Sequence, residues 1–261
     1  MISSAAKSNS FQNILRTSAS LAKAKFRLRM EGSYLGIFWY LLKPLTLFLL
    51  ILFIKAAAFS QVVIPYYPLY LFMGITAVNF FRTVLSDSIN AISASADHIK
   101  SINNVAPEVL VLSKVFLAVY SHVFEFALIA VLMLVLNISL VGLLFYPLIF
   151  ACFVVMVAGI AFIFATIGVY INDFSNIWAI AAQLLFFATP TFYAIVPGSS
   201  VYIANLFNPL FYFLDISRSA VIYSSWPPLG MIAVLVVGSG FFLTIGLAIF
   251  KRYKHKFSEL V

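Results

Sequence analysis

Residues 143–170 read LLFYPLIFACFVVMVAGIAFIFATIGVY, without a charged side chain from end to end. A helix needs about 20 mostly apolar residues to cross the ~30 Å hydrocarbon layer of a bilayer, so this run exceeds the minimum. It lacks the strict two-residue alternation of a membrane β-strand. In lipid every backbone polar group must be satisfied within the segment, which leaves a helix. Five further runs share this character, at roughly 36–59, 68–86, 109–136, 176–196 and 229–250. Pro190 interrupts the fifth and Pro197 closes it, so five spans plus a re-entrant segment is the competing arrangement.

Composition agrees. The 261 residues are 64% hydrophobic and 9% charged, with a mean hydropathy of +1.08. Soluble domains carry about 25% charged residues, so a soluble fold is excluded. A disulfide scaffold is excluded because Cys152 has no partner cysteine. Disorder is excluded by 28 Phe. The chain reads as an all-α polytopic membrane protein of six transmembrane helices, forming one domain over 1–261.

Charge sets the expected orientation. Lys7, Arg16, Lys23, Lys25, Arg27 and Arg29 precede the first run, and Lys251, Arg252, Lys254 and Lys256 follow the last. By the positive-inside rule both termini are cytoplasmic, with the 87–108 loop on that side and 197–228 outside. The net charge of +8 points to anionic headgroups rather than nucleic acid. No apolar segment near the start suggests a cleaved signal peptide. Phe11, Ile14, Leu15, Ala22 and Phe26 recur at helical spacing within 1–33, predicting an amphipathic helix in the cytoplasmic interface. A basic tail occupies 251–261.

Intrinsic chemistry is scarce. No Gly is followed by Lys, so there is no Walker A loop. His98, His122 and His255 are too scattered to suggest a metal site, and the acidic residues stand singly. The chain is read as no enzyme, binding no cofactor or metal itself. Glu125 lies well inside the third run and Arg82 inside the second, which gives a buried Arg82–Glu125 pair or a polar lining, or else an Arg82 that snorkels to the headgroups. Lys55, near the end of the first run, is expected to snorkel. Tyr66, Tyr67 and Tyr70 suit an interfacial belt. The 87–108 loop keeps Ile89, Ile92, Ile99 and Ile102 among polar residues, a stripe able to dock on a soluble partner.

An ordered set of motifs resembles a known family. Tyr34-Leu35-Gly36-Ile37-Phe38-Trp39 is followed by Lys43-Pro44. Asn79-Phe80-Phe81 comes next, then Ile99-Lys100 running to Pro107-Glu108-Val109-Leu110. Asn172-Asp173, Thr189-Pro190 with Tyr193, and Asn208-Pro209-Leu210 complete the set. The chain resembles, over nearly its whole length, the membrane-spanning permease of ABC transporters that export lipid-linked polysaccharides such as O-antigen, capsule or teichoic acid. It departs from the family at Asn104, Val105 and Ala106, where a basic–aromatic pair is common, at Glu108, where Arg is common, and at Asn172, where Arg commonly precedes the Asp.

The resemblance implies a homodimer in the bacterial inner membrane and two copies of a separate ATPase that carries ATP and Mg. It implies coupling to that ATPase through Ile99, Lys100, Ile102, Asn103, Pro107 and Glu108. Candidate conduit residues are Trp39, Tyr40, Phe80, Phe81, Glu125, Phe186 and Tyr193. Short re-entrant or interfacial helices in 197–228 would bear an external gate at Asn208, Pro209 and Arg218. A permease for drugs or small lipids, or an energy-independent channel or assembly subunit, would share much of this composition.

Overall fold

The computed structural model describes residues 11–31, 38–58, 64–95 and 106–257. Among the described residues it is all helix and connection. The α-helices are α1 (Phe11–Glu31), α2 (Phe38–Ala58), α3 (Tyr67–Ile89), α4 (Pro107–Val135), α5 (Tyr146–Tyr170), α6 (Phe174–Ala188), α7 (Ser200–Asn205), α8 (Pro209–Val221) and α9 (Leu229–Tyr253). Short 3₁₀ segments at Ser93–Ser95, Leu140–Leu144 and Lys254–Lys256 extend α3, α5 and α9.

Among the described residues four helices are long and apolar enough to cross a membrane: α3, α4, α5 with its leading turn, and α9 with its trailing turn. Local chemistry sets their ends. Pro68, Pro107 and Pro147 sit in first turns, where the missing N–H has no helical partner to lose. Asn137 takes a left-handed conformation (φ 55°), and Ile138 N–H bonds back to Met133 O at 2.9 Å, closing α4 in a Schellman turn.

The fifth apolar run behaves differently from a full span. Its helix, α6, has 15 residues and stops at Ala188, a length of ~22 Å against the ~30 Å of hydrocarbon. Pro190 is the cause. The residue before a proline is driven out of the helical region, and Thr189 is extended at φ −78°, ψ 140°.

Helix α3 is the centre of the bundle, touching α2, α4, α5, α6 and α8. Leu69, Leu71, Phe72, Val78, Val84 and Leu85 along it are fully enclosed. Among the described residues the most extensive helix–helix contact is that of α5 with α9. A Cβ on Gly159 would strike the backbone of Phe242, and one on Gly246 would strike Gly159 O. Two missing side chains let these backbones meet, as small residues do between helices in lipid. Ser239 Oγ donates to Cys152 O across the same seam at 2.7 Å.

Helix α1 lies along α4 rather than standing apart. Ser18 and Ala22 are buried, Phe26 meets Tyr120 and Phe124 at ring centroids 6.1 and 6.0 Å apart, and Tyr120 OH approaches Ala19 O. The side of α1 that periodicity marks as apolar is thus largely covered by protein. Phe11 and Leu28 remain exposed, and Arg16, Lys23 and Arg27 face outward.

Candidate functional site

Three groups of buried polar side chains stand out, one inside the bundle and one at each end. The first joins α3, α4 and α5. His122 and Glu125 are three residues apart on α4, which places them on one face. His122 Nδ1 lies 2.7 Å from Glu125 Oε2, and Nε2 lies 2.8 Å from the Tyr146 hydroxyl. The tautomer with its proton on Nδ1 donates to the carboxylate and leaves Nε2 to accept from Tyr146. Asn79 Nδ2 reaches Glu125 Oε1 at 3.4 Å. Rings seal the cluster: Phe150 stacks on His122 at 4.1 Å, and Phe80 meets Phe150 edge-on at 5.0 Å. Phe213, from α8, stacks on Phe153 at 4.1 Å.

Glu125 is therefore paired, but not with Arg82. Asn79 and Arg82 are three residues apart on α3; Asn79 is the one that reaches Glu125, while Arg82 is half-exposed. A carboxylate at 4% exposure needs each oxygen satisfied, and the His122–Asn79 frame does this. His122 has no metal-ligand spacing to the other histidines that would mark it in the sequence. The His-x-x-Glu interval on a helical run was the available signal.

The second group surrounds the corner that follows α6. Pro190 ends the helix and leaves carbonyls without intrahelical partners. Side chains from other elements bond one of these, Ala188 O, and the carbonyls of the corner that follows. Asn205 Nδ2 donates to Ala188 O at 3.1 Å, Tyr67 OH to Phe192 O at 3.0 Å, and Tyr70 OH to Tyr193 O at 2.8 Å. Arg218 Nη1 donates to Pro190 O at 2.7 Å, and its Nη2 to Tyr70 O and Thr191 O at 3.0 and 3.1 Å. The guanidinium also lies 3.4 Å over the Tyr70 ring. Asp215, one turn back on α8, is half-buried. Burial raises its carboxyl pKa above the usual range and Arg218 pulls it part of the way back.

Asn208 and Pro209 begin α8 rather than project from it. Asn208 Oδ1 accepts from Leu210 N–H at 3.1 Å, an N-cap, and Pro209 takes the first helical position. Asn208 Nδ2 also donates to Thr189 Oγ1 at 2.8 Å, tying α8 to the same corner. Tyr67 and Tyr70, read as belt residues, are buried with their hydroxyls in this network. Lys55 Nζ sits 3.4 Å over the Tyr67 ring, a stacked rather than merely snorkelling cation.

The third group lies at the opposite end. Glu108, in the first turn of α4 after Pro107, is buried, and Lys254 Nζ meets its Oε1 at 2.8 Å. Glu108 thus turns inward to the C-terminal tail and offers little surface to another protein. Ile89 and Ile92, half of the proposed docking stripe, are also buried within the chain. Ile99, Lys100, Ile102 and Asn103 lie outside the described residues.

The candidate conduit residues separate by burial. Phe80, Phe81, Glu125 and Phe186 are enclosed by the chain's own helices, and rings this deep cannot face a wet path outside the protomer. Tyr193 is half-exposed, its hydroxyl donating to Ala188 O at 2.8 Å. Trp39 and Tyr40 begin α2, and their side chains lie outside the described set. Exposed apolar residues cluster elsewhere: Leu49, Leu50 and Phe53 on α2; Ile177, Ile180, Leu184 and Phe187 on α6; Val236, Val237 and Phe241 on α9.

No family model matches the chain. Curated relatives do. The O-antigen export system permease protein RfbA of Klebsiella pneumoniae is 29% identical over 249 residues, covering 90% of this chain and 91% of the relative. A second Klebsiella pneumoniae protein of the same name is 28% identical over 248 residues, with the same coverage. RfbA of Myxococcus xanthus is 26% identical over 255 residues, 93% of this chain and 94% of its own length. The likeness covers about nine-tenths of each chain: the chain resembles the permeases of ABC-type polysaccharide exporters.

Proposed function

We propose that this chain is the membrane-spanning permease of an ATP-driven exporter that moves a lipid-linked, O-antigen-like polysaccharide across the bacterial inner membrane. The observation that carries the reading is similarity over nine-tenths of the chain to three proteins named as O-antigen export permeases. Its helices, four of them long and apolar enough to cross a membrane, suit a multi-pass transport component rather than an enzyme. In this reading α2, with 21 residues, and α6 continued by the 189–196 segment add two crossings to make six. The termini and the 87–108 loop are cytoplasmic, and 197–228 is external. The outward cations of α1 then face inner-leaflet headgroups.

Energy comes from a separate ATPase that binds ATP and Mg. The 97–108 part of the loop contacts it, with Ile99, Lys100, Ile102 and Asn103 as the reaching side chains. The exposed apolar faces of α2 and α6 supply the surface for a second copy, so that a homodimer encloses the conduit. Trp39, Tyr40 and Tyr193 are the candidates to line it. Phe80, Phe81, Glu125 and Phe186 hold the wall from behind.

Affinity purification from native membranes tests this. A tagged chain is expected to bring down a nucleotide-hydrolysing subunit and a second, differently tagged copy of itself. Replacing Ile99 and Ile102 by Asp places charges in an apolar contact, costing a few kcal/mol, and is expected to release the ATPase while the permease inserts normally. A chain that purifies with neither partner overturns the proposal.

A further inference from the structure

We propose that Arg218 is a positioning residue of the external seal. Its guanidinium clasps the 190–191 corner to α3 and so holds the outer end of α6 shut against the bundle between transport events. The inference rests on the exporter reading above and assigns the part of the outer segment that keeps the conduit closed.

Arg218 is only 4% exposed, so it cannot serve by touching a passing polymer. Its three hydrogen bonds all end on backbone carbonyls: Pro190, Thr191 and Tyr70. Among the described residues no carboxylate forms a salt bridge with it. Two of those carbonyls belong to the corner that Pro190 creates, and the third to α3. A single rigid fork therefore bridges two elements that the backbone itself does not join. A cation at the C-terminal end of α6 also suits that helix's dipole. Its direct partners are carbonyls and a ring face, and the half-buried Asp215 carboxylate one turn back interacts with it electrostatically.

The clasp matters because α6 is only 15 residues long. Its outer side, from Ile177 to Phe187, is exposed, and the helix ends where the corner begins. Gly74 supplies an independent sign that close approach is required. A Cβ there would stand 2.6 Å from Thr191 O and 2.7 Å from Arg218 Nη2. Any side chain at 74 would push corner and guanidinium off α3 together. Tyr67, whose hydroxyl holds Phe192 O, braces the far side of the same corner.

The test uses the complex of this chain with its ATPase, in liposomes loaded with carboxyfluorescein, without nucleotide or substrate. Loss of charge-assisted hydrogen bonds is worth a factor of about ten or more, so Arg218→Gln is expected to release dye at least about tenfold faster than the parent. Gly74→Ala is expected to leak similarly, and Arg218→Lys to fall between, because one ammonium reaches fewer carbonyls. If both act through one clasp, the double variant Arg218→Gln/Gly74→Ala leaks no faster than the worse single. Matched amounts of intact dimer by size exclusion separate leak from misfolding. Should Arg218→Gln fail to insert, Gly74→Ala and Arg218→Lys decide the matter. Parent-like tightness in folded variants, or additive leaks in the double, overturns the clasp. The readout needs neither ATP nor polysaccharide, so failure of the exporter reading would appear separately, as a tight parent complex that transports nothing.

Discussion

Helices α3 and α9 are of similar length, yet the chain treats them in opposite ways. The most apolar window of α3 is 78% buried, while that of α9 is 17% buried. The buried helix is the more polar one. It carries Tyr67, Tyr70, Asn79, Ser86 and Ser88, whereas the exposed one is almost unbroken Val, Leu, Ile, Phe and Gly until Lys251. In water the order would be reversed. In lipid, tails are as apolar as leucine, so burial gains nothing from apolarity alone. Packing, small residues and polar contacts decide which helix goes inside.

The contrast breaks most sharply under truncation. Phe72→Ala on α3 removes a fully buried ring and is expected to cost about 3–5 kcal/mol. Val237→Ala on α9, at a 70% exposed position, should stay within about 0.5 kcal/mol. Unfolding in mild detergent measures both, and equal costs would erase the distinction between the two helices.

Next in size is the polar cluster beside α3. Glu125→Ala leaves His122 and Asn79 without their acceptor inside a ring-lined site, and should cost about 2–4 kcal/mol. Glu125→Gln keeps an acceptor oxygen and should cost less. Stability unchanged in Glu125→Ala would show that the cluster is not holding α3, α4 and α5 together.

Much of this was legible in advance, and the limits are physical. Apolar runs depend on local composition, so the helices could be read without neighbours. Pro190 was visible as an interruption, and the structure turns it into an early end for α6. Glu125 stands out by depth alone. Its partners do not, because Asn79 reaches it, and Tyr146 reaches His122 beside it, from other helices, and tertiary contact leaves no mark in spacing. Arg218 was picked as a gate residue, but its acceptors are backbone carbonyls, which every residue has. Helical spacing predicts an apolar side for α1 in the cytoplasmic interface, yet periodicity cannot say whether lipid or α4 covers it.

Smaller effects are expected where α9 meets α5. Gly246→Val pushes a side chain into the backbone of Gly159 and should cost about 1–3 kcal/mol by overpacking, seen as easier proteolysis of the C-terminal helix. Ser239→Ala loses its bond to Cys152 O, which between membrane helices is worth about 0.6 kcal/mol. If Ser239→Ala proved the more damaging of the two, polar contact rather than close approach would be what fastens α9.

The central claim is export, and one measurement reaches it directly. In a strain lacking this chain, surface polysaccharide is stained before and after the inner membrane is permeabilised. The polymer is expected to be made, to stay lipid-linked, and to become accessible only after permeabilisation, with surface display restored by the intact gene. Normal surface polysaccharide in the deletion strain would contradict the account.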